Sequence, residues 1–73
     1  MDEVFIIMAF PHIGYGSPYV WSVYSSRKKA KREMDKIAKK YRMEYNKEEL
    51  ISTLSPSIKY RFESFEIVRF FVD

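Results

Sequence analysis

The sequence predicts an α+β fold, with a small antiparallel or mixed three-stranded sheet (β-β-α-(α)-β) packed on one long basic amphipathic helix. Runs rich in β-branched and aromatic residues stand near both ends of the chain. A lysine-rich segment with apolar residues at helical spacing lies between them. The 73 residues are enough for one domain, so we expect a single compact unit over residues 1–73.

The first part of the chain predicts two strands and a loop. The continuous apolar run VFIIMAF, residues 4–10, is typical of a buried strand. Residues 11–18, PHIGYGSP, hold both glycines and a proline at each end, which predicts a loop. Residues 19–25, YVWSVYS, alternate loosely and predict a second strand, antiparallel to the first.

The middle of the chain predicts a long helix from about Ser26 to Tyr45, with Ser25 or Ser26 as the N-cap. Asn46 and Glu49 have the spacing of a capping box, so we expect a short second helix to about Leu54. An apolar stripe should bury the long helix against the sheet. Its members are Ala30, Met34, Ile37, Ala38, Tyr41 and Tyr45.

The last strand is predicted over residues 58–72, IKYRFESFEIVRFFV, with a bulge or bend near Ser64 where the alternation slips. In so small a protein, the phenylalanines of this strand are expected to serve the core. They are Phe62, Phe65, Phe70 and Phe71. Two alternatives stay open for this strand: a stacking surface for nucleic-acid bases, and an aromatic edge strand that allows a homodimer.

Two short stretches carry a resemblance to a known group of proteins. They are VYSS followed by an alanine at residue 30, and the closing stretch FESFEIV. Together they resemble small, mostly uncharacterised phage and bacterial accessory proteins, over about half the chain. In those proteins the helix after the turn usually carries mixed or acidic residues, whereas this chain has a basic run. The resemblance implies a β-β-α-β accessory protein without attributed catalysis, such as a modulator or inhibitor of a host factor. The residues that carry it are Val23, Tyr24, Ser25, Ser26, Ala30, Phe62, Glu63, Phe65, Glu66 and Ile67.

The residues that most enzymes and metal sites need are scarce in this chain. It has no cysteine, and His12 is its only histidine. The segment GYGS, residues 14–17, lacks the third glycine and the lysine of a phosphate-binding loop. We therefore predict no catalytic residues, no metal and no cofactor. The acidic start and the short apolar run at residues 4–10 predict a cytoplasmic protein (host cytoplasm if phage-encoded) without a membrane anchor.

The charge pattern of the predicted helix is the strongest functional signal. Residues 27–42 hold nine Lys or Arg against Glu33 and Asp35, and the remainder of the chain is acidic. Cations in the first turn oppose the helix dipole, and like charges four residues apart repel. Such a conflict is often found at a functional surface, although a merely solvated lysine face is the common alternative.

An anionic partner is therefore expected: preferably an acidic protein surface, alternatively a nucleic acid bound without sequence preference. The expected partner-binding residues are Arg27, Lys28, Lys29, Lys31, Arg32, Lys36, Lys39 and Lys40, and the expected loop contacts are His12, Tyr15, Tyr19 and Trp21.

Overall fold

A computed structural model describes residues 2–12, 14, 16–52 and 62–72 of the chain. In these residues, one helix packs on a five-stranded antiparallel sheet with the strand order β2-β1-β5-β4-β3. The prediction of three strands and a second helix is therefore wrong. The elements are β1 (Asp2–Pro11), β2 (Tyr19–Tyr24), α1 (Arg27–Tyr41), β3 (Met43–Asn46), β4 (Glu49–Ser52) and β5 (Phe62–Val72).

The two additional strands form a hairpin in the segment that was predicted to be helical. The helix ends at Tyr41 because Arg42 adopts a left-handed conformation, with φ of 53°, and its N–H bonds the carbonyl of Ala38. Asn46 and Glu49 lie directly opposite each other across the hairpin, so their spacing reflects a two-residue turn. Lys47 in that turn also has a positive φ, 61°. The rest of the predicted second helix, residues 53 and 54, lies outside the described residues.

The helix begins as predicted, after Ser26, whose Oγ accepts a hydrogen bond from the Lys29 N–H at 3.2 Å. Three residues of the predicted stripe, Ala30, Met34 and Ile37, are buried. They face the inward side of the sheet, so one side of the helix is fixed and the opposite side projects away from it. The strand side chains of this core are Phe5, Ile7, Ala9, Met43, Leu50, Phe62 and Phe65.

Strand β5 pairs with β1 along the full length of both strands and forms the centre of the sheet. The register breaks between Phe10 and Pro11, which makes Glu63 the extra residue on β5. This bulge lies next to Ser64, where the slip in alternation predicted an irregularity. Residues 58–61 of the predicted last strand lie outside the described residues.

An aromatic cluster fills the core at one end of the helix. The Trp21 ring meets the rings of Phe62 and Phe65 edge-on, with centroids 5.6 and 5.2 Å apart, and Tyr41 packs 5.2 Å from Phe62. Only half of the predicted core phenylalanines belong to it. Phe70 and Phe71 are 56% and 51% exposed. Phe70 lies on the same side of the sheet as Val68, opposite the helix, whereas Phe71 lies on the helix side.

Candidate binding surface

The eight cations expected to bind a partner all lie on α1, and all of them are exposed. They surround the helix on every side except the buried stripe. The helix is too short and too polar to cross a bilayer, and it is the only helix in the part of the chain that the structure describes.

Half of these cations already have partners within the protein. Their interactions tie the helix to the serine before its N-cap, to the β3–β4 hairpin and to an aromatic ring on the helix itself. Arg27 forms an ion pair with Glu48, Lys29 Nζ lies 3.5 Å from Ser25 Oγ, Lys31 Nζ lies 4.8 Å from the Tyr45 ring centroid, and Lys40 Nζ lies 5.3 Å from that of Tyr41.

The other half have no ion pair, hydrogen bond or ring contact within the described residues. These are Lys28, Arg32, Lys36 and Lys39, which we call the basic ridge. They follow one another at intervals of three or four residues, so they lie in line on the outer side of the helix. The ridge is about 16 Å long at about 1.5 Å per residue. Its four charges are solvated and available to an anion.

A shallow groove borders the ridge on one flank. It has a volume of about 320 Å³ and lies between the helix and the end of β2. Tyr24 forms part of its wall, and Arg32 and Lys36 extend into it from the ridge. An acidic side chain of a partner could enter here and meet both cations. The remaining lining residues are Lys29 and Glu33.

The conflict between the cations and the helix dipole is present in the folded protein. The first turn of α1 contains no acid, and it carries Lys28 and Lys29 close to the partial positive charge of the helix N-terminus. Lys39 and Lys40 occupy the last turn, where cations are favourable. The unfavourable end is therefore the one that carries the first cation of the ridge.

The expected loop contacts do not join the ridge. Tyr19 and Trp21 lie 6.4 Å apart between ring centroids, and each also packs against Phe62 in the aromatic cluster. His12 is half-buried, and its Nε2 atom is enclosed without a hydrogen bond to any described residue. Tyr15 lies outside the described residues.

A second surface, which the sequence did not predict, lies on the side of the sheet opposite the helix; we call it the open face. Ile6 lies on it between Val23 of β2 and Val68 of β5, and no described element covers them. Val20 and Val23 are 51% and 56% exposed. The sequence did not predict this face because the apolar run at residues 4–10 is continuous. Without alternation of apolar and polar residues, the run does not indicate that one side of the strand is uncovered.

The open face carries acids on its β3–β4 side. Glu49 lies directly opposite Glu66, and Glu44 follows on the outermost strand. Arg69, the only cation in the described strands, lies opposite Phe5 and therefore on the helix side. The molecule thus has a basic side and an apolar-to-acidic side.

No group of three potential metal-ligating side chains occurs within residues 2–12, 14, 16–52 and 62–72. The resemblance to phage and bacterial accessory proteins stays a prediction. The sequence matches no protein-family model, and searches among curated proteins and among solved structures found no similar protein.

Proposed function

We propose that this chain is a non-enzymatic binding protein that docks on an acidic protein surface through the basic ridge. The observation that carries the proposal is that Lys28, Arg32, Lys36 and Lys39 are aligned, exposed and without described intramolecular partners. Isolated like charges in line destabilise a helix slightly, and a complementary partner removes that cost. The resemblance to phage accessory proteins adds the proposal that the bound protein is a host factor.

Two features favour discrete carboxylates over a continuous phosphate backbone. Glu33 and Asp35 lie on the helix beside the ridge and would repel a uniformly charged polyanion that spreads over both flanks. Trp21 packs against the core, and the ring of Tyr19, although 42% exposed, contacts Trp21 and Phe62 and no ridge residue, so these two rings do not offer bases a stacking platform on the ridge. Nucleic acid is therefore the second candidate and is separated from the first by the test.

The test compares two triple variants that lose the same charge. The ridge variant is Lys28→Gln/Arg32→Gln/Lys36→Gln, and the matched control is Lys31→Gln/Lys40→Gln/Lys47→Gln. A fluorescent oligo-glutamate peptide and single- and double-stranded oligonucleotides serve as probes, at about 50 and 200 mM salt. Circular dichroism verifies that both variants are folded.

We expect the wild type to bind the peptide, and we expect the ridge variant to bind it at least about tenfold more weakly. The control should stay within about twofold of the wild type, since its cations lie off the ridge. Equal losses in both variants would show that only the net charge matters, which contradicts docking through the ridge. Tighter binding of the oligonucleotides, with a steep loss at 200 mM salt, would replace the acidic protein by nucleic acid.

A further inference from the structure

Among the described residues, no strand pairs with one edge of the second half of β5. On one side, β1 pairs with the strand from Phe62 to Val72, but on the other side β4 pairs only with residues 64–66. No described strand therefore covers residues 67–72 on that side, and we call this segment the β5 edge. Its side chains include Phe70, Phe71 and Val72, each about half exposed. Exposed apolar edges of this kind are templates for the addition of another strand.

We propose that the β5 edge pairs antiparallel with the β5 edge of a second copy of this chain, centred on Phe70. The two edges form a continuous sheet about a twofold axis normal to it. In this register, Phe70 lies opposite Phe70 of the second copy, and Val68 lies opposite Val72 of the second copy. Arg69 lies opposite Phe71 of the second copy. Each of these pairs joins residues that share a face of the sheet, as antiparallel pairing requires.

The charge of Arg69 favours the register centred on Phe70 over the one shifted by one residue. Shifting the centre to Arg69 would place the two arginines directly opposite each other, and like charges in that position are destabilising. With the centre at Phe70, each guanidinium meets an aromatic ring. The chain already makes such a contact internally, since the Arg69 guanidinium lies 5.3 Å from the Phe71 ring centroid.

The segment VRFFV, residues 68–72, is also what makes a second copy the fitting partner. It is apolar at both ends and at its centre, so it is complementary to itself when it is reversed. Its single charged residue, Arg69, lies opposite Phe71 of the reversed copy. A strand of arbitrary sequence would not place an aromatic ring at that position.

The remainder of the sheet leaves room for this pairing. The last β4 residue on that side, Glu49, lies opposite Glu66, four positions before Phe70. In the Phe70-centred register, β4 of the second copy therefore lies beyond the end of β5. A notch of about 460 Å³ lies between the β3–β4 turn and Ile67, so no described residue fills the space beside Ile67. The other residues that line it are Asn46, Lys47, Glu48, Glu49 and Glu66.

The dimer places both helices, and hence both basic ridges, on the same side of a ten-stranded sheet. The pairing uses none of the ridge residues, so loss of binding to acidic probes leaves this proposal untouched, and the reverse also holds. Because one strand pair is a small interface, we expect a dissociation constant on the order of 10 to 100 μM.

Sedimentation of the full chain over a range of about 5 to 500 μM tests the association. The wild type should shift from its 8.8 kDa monomer to twice that mass. Phe70→Lys places two lysines opposite each other and should weaken the dimer at least about tenfold. Val23→Lys is the matched control, since it adds the same charge to the open face on β2, away from the β5 edge. It should change the dissociation constant by less than about twofold.

Single cysteines then test the register, because the native chain contains none. Phe70→Cys should form a symmetric disulfide readily. Arg69→Cys should lag, because its equivalent in the second copy lies about 7–8 Å away on the diagonal. A monomer at all concentrations overturns the proposal. Faster cross-linking through Arg69→Cys overturns the register. Loss of the dimer in Val23→Lys shows instead that two open faces pack together.

Discussion

At the scale of single residues, the contact between Tyr45 and Asp35 links the hairpin to the helix. The Tyr45 hydroxyl donates a hydrogen bond to Asp35 Oδ1 at 2.5 Å. Burial of the ring, and then this hydrogen bond and the carboxylate charge, raise the pKa of Tyr45 well above its usual range. The folded protein therefore favours the neutral phenol. This contribution to stability is complete below about pH 10, where an unfolded tyrosine is also neutral, and it is lost as the pH rises through the folded-state pKa.

Tyr45→Phe tests this link while keeping the ring beneath Lys31. At pH 7, we expect the variant to lose about 0.5–1 kcal/mol of the free energy of unfolding, the low end for a hydrogen bond at an exposed site. Above pH 10, the stability of the wild type should fall more steeply than that of the variant, because only the wild type has this phenol to deprotonate. Urea unfolding followed by Trp21 fluorescence measures both. Parallel pH profiles would contradict the role assigned to Tyr45.

Tyr45 also shows where residue patterns mislead. Its spacing from Tyr41 extended the predicted apolar stripe by one turn, and its side chain does contact the helix, though from strand β3. The helix ends because Arg42 adopts the left-handed conformation. A glycine at this position would have predicted the end of the helix, whereas an arginine does not. Lys47 in the following turn also has a positive φ. Hairpin turns of this kind usually carry glycine or asparagine, so a lysine there did not predict the hairpin.

At the scale of elements, the order β1, β2, α1, β5 could be predicted from the sequence, and the N-cap could be narrowed to Ser25 or Ser26, of which Ser26 is the N-cap in the structure. Each has a strong local signal: continuous apolar runs, prolines and glycines, or a serine before a periodic segment. The β3–β4 hairpin could not, because its strands have four residues each and carry helix-favouring Met, Glu and Leu. Their strand conformation depends on tertiary contacts, with Met43 and Leu50 completing the core beneath the helix.

The basic first turn of the helix implies a conflict between stability and binding. Lys28 has no described partner, repels Arg32 one turn later and lies at the positive end of the dipole. Lys28→Glu reverses both effects, so we expect the free energy of unfolding to rise by about 0.5–1.5 kcal/mol at low salt. Lys28→Gln should give about half of that gain. Urea unfolding at low salt and at about 0.5 M salt measures the effect, which should shrink with screening.

Binding should move in the opposite direction. Lys28→Glu removes a cation from the basic ridge, so its affinity for the oligo-glutamate probe should fall while its stability rises. A variant that is neither more stable nor weaker in binding would show that Lys28 is an ordinary solvated lysine.

At the scale of the whole molecule, charge and apolar surface are separated on two sides. The charge asymmetry was visible in the sequence, since residues 27–42 carry +7 while the remainder carries −4. The apolar side was not, because the apolar run at residues 4–10 predicted a buried strand. In the part of the chain that the structure describes, a single helix of 15 residues covers one face of the five strands. The second face therefore keeps apolar side chains that a second layer would bury in a larger protein.

Because the open face is not covered by any described element, we expect substitutions of its valines on β2 to have little effect on stability. Val20→Thr/Val23→Thr keeps β-branched residues on β2, and in the native state both valines are about half exposed. We therefore expect the free energy of unfolding to change by no more than about 0.5 kcal/mol. Light scattering at high concentration should show the same association as in the wild type, since the dimer forms through the β5 edge and not through the valines of β2. Binding to the oligo-glutamate probe should be unchanged, because the basic ridge lies on the opposite side. A loss of stability above about 1 kcal/mol would mean that these valines are covered in the folded protein, and the open face would then be part of its core.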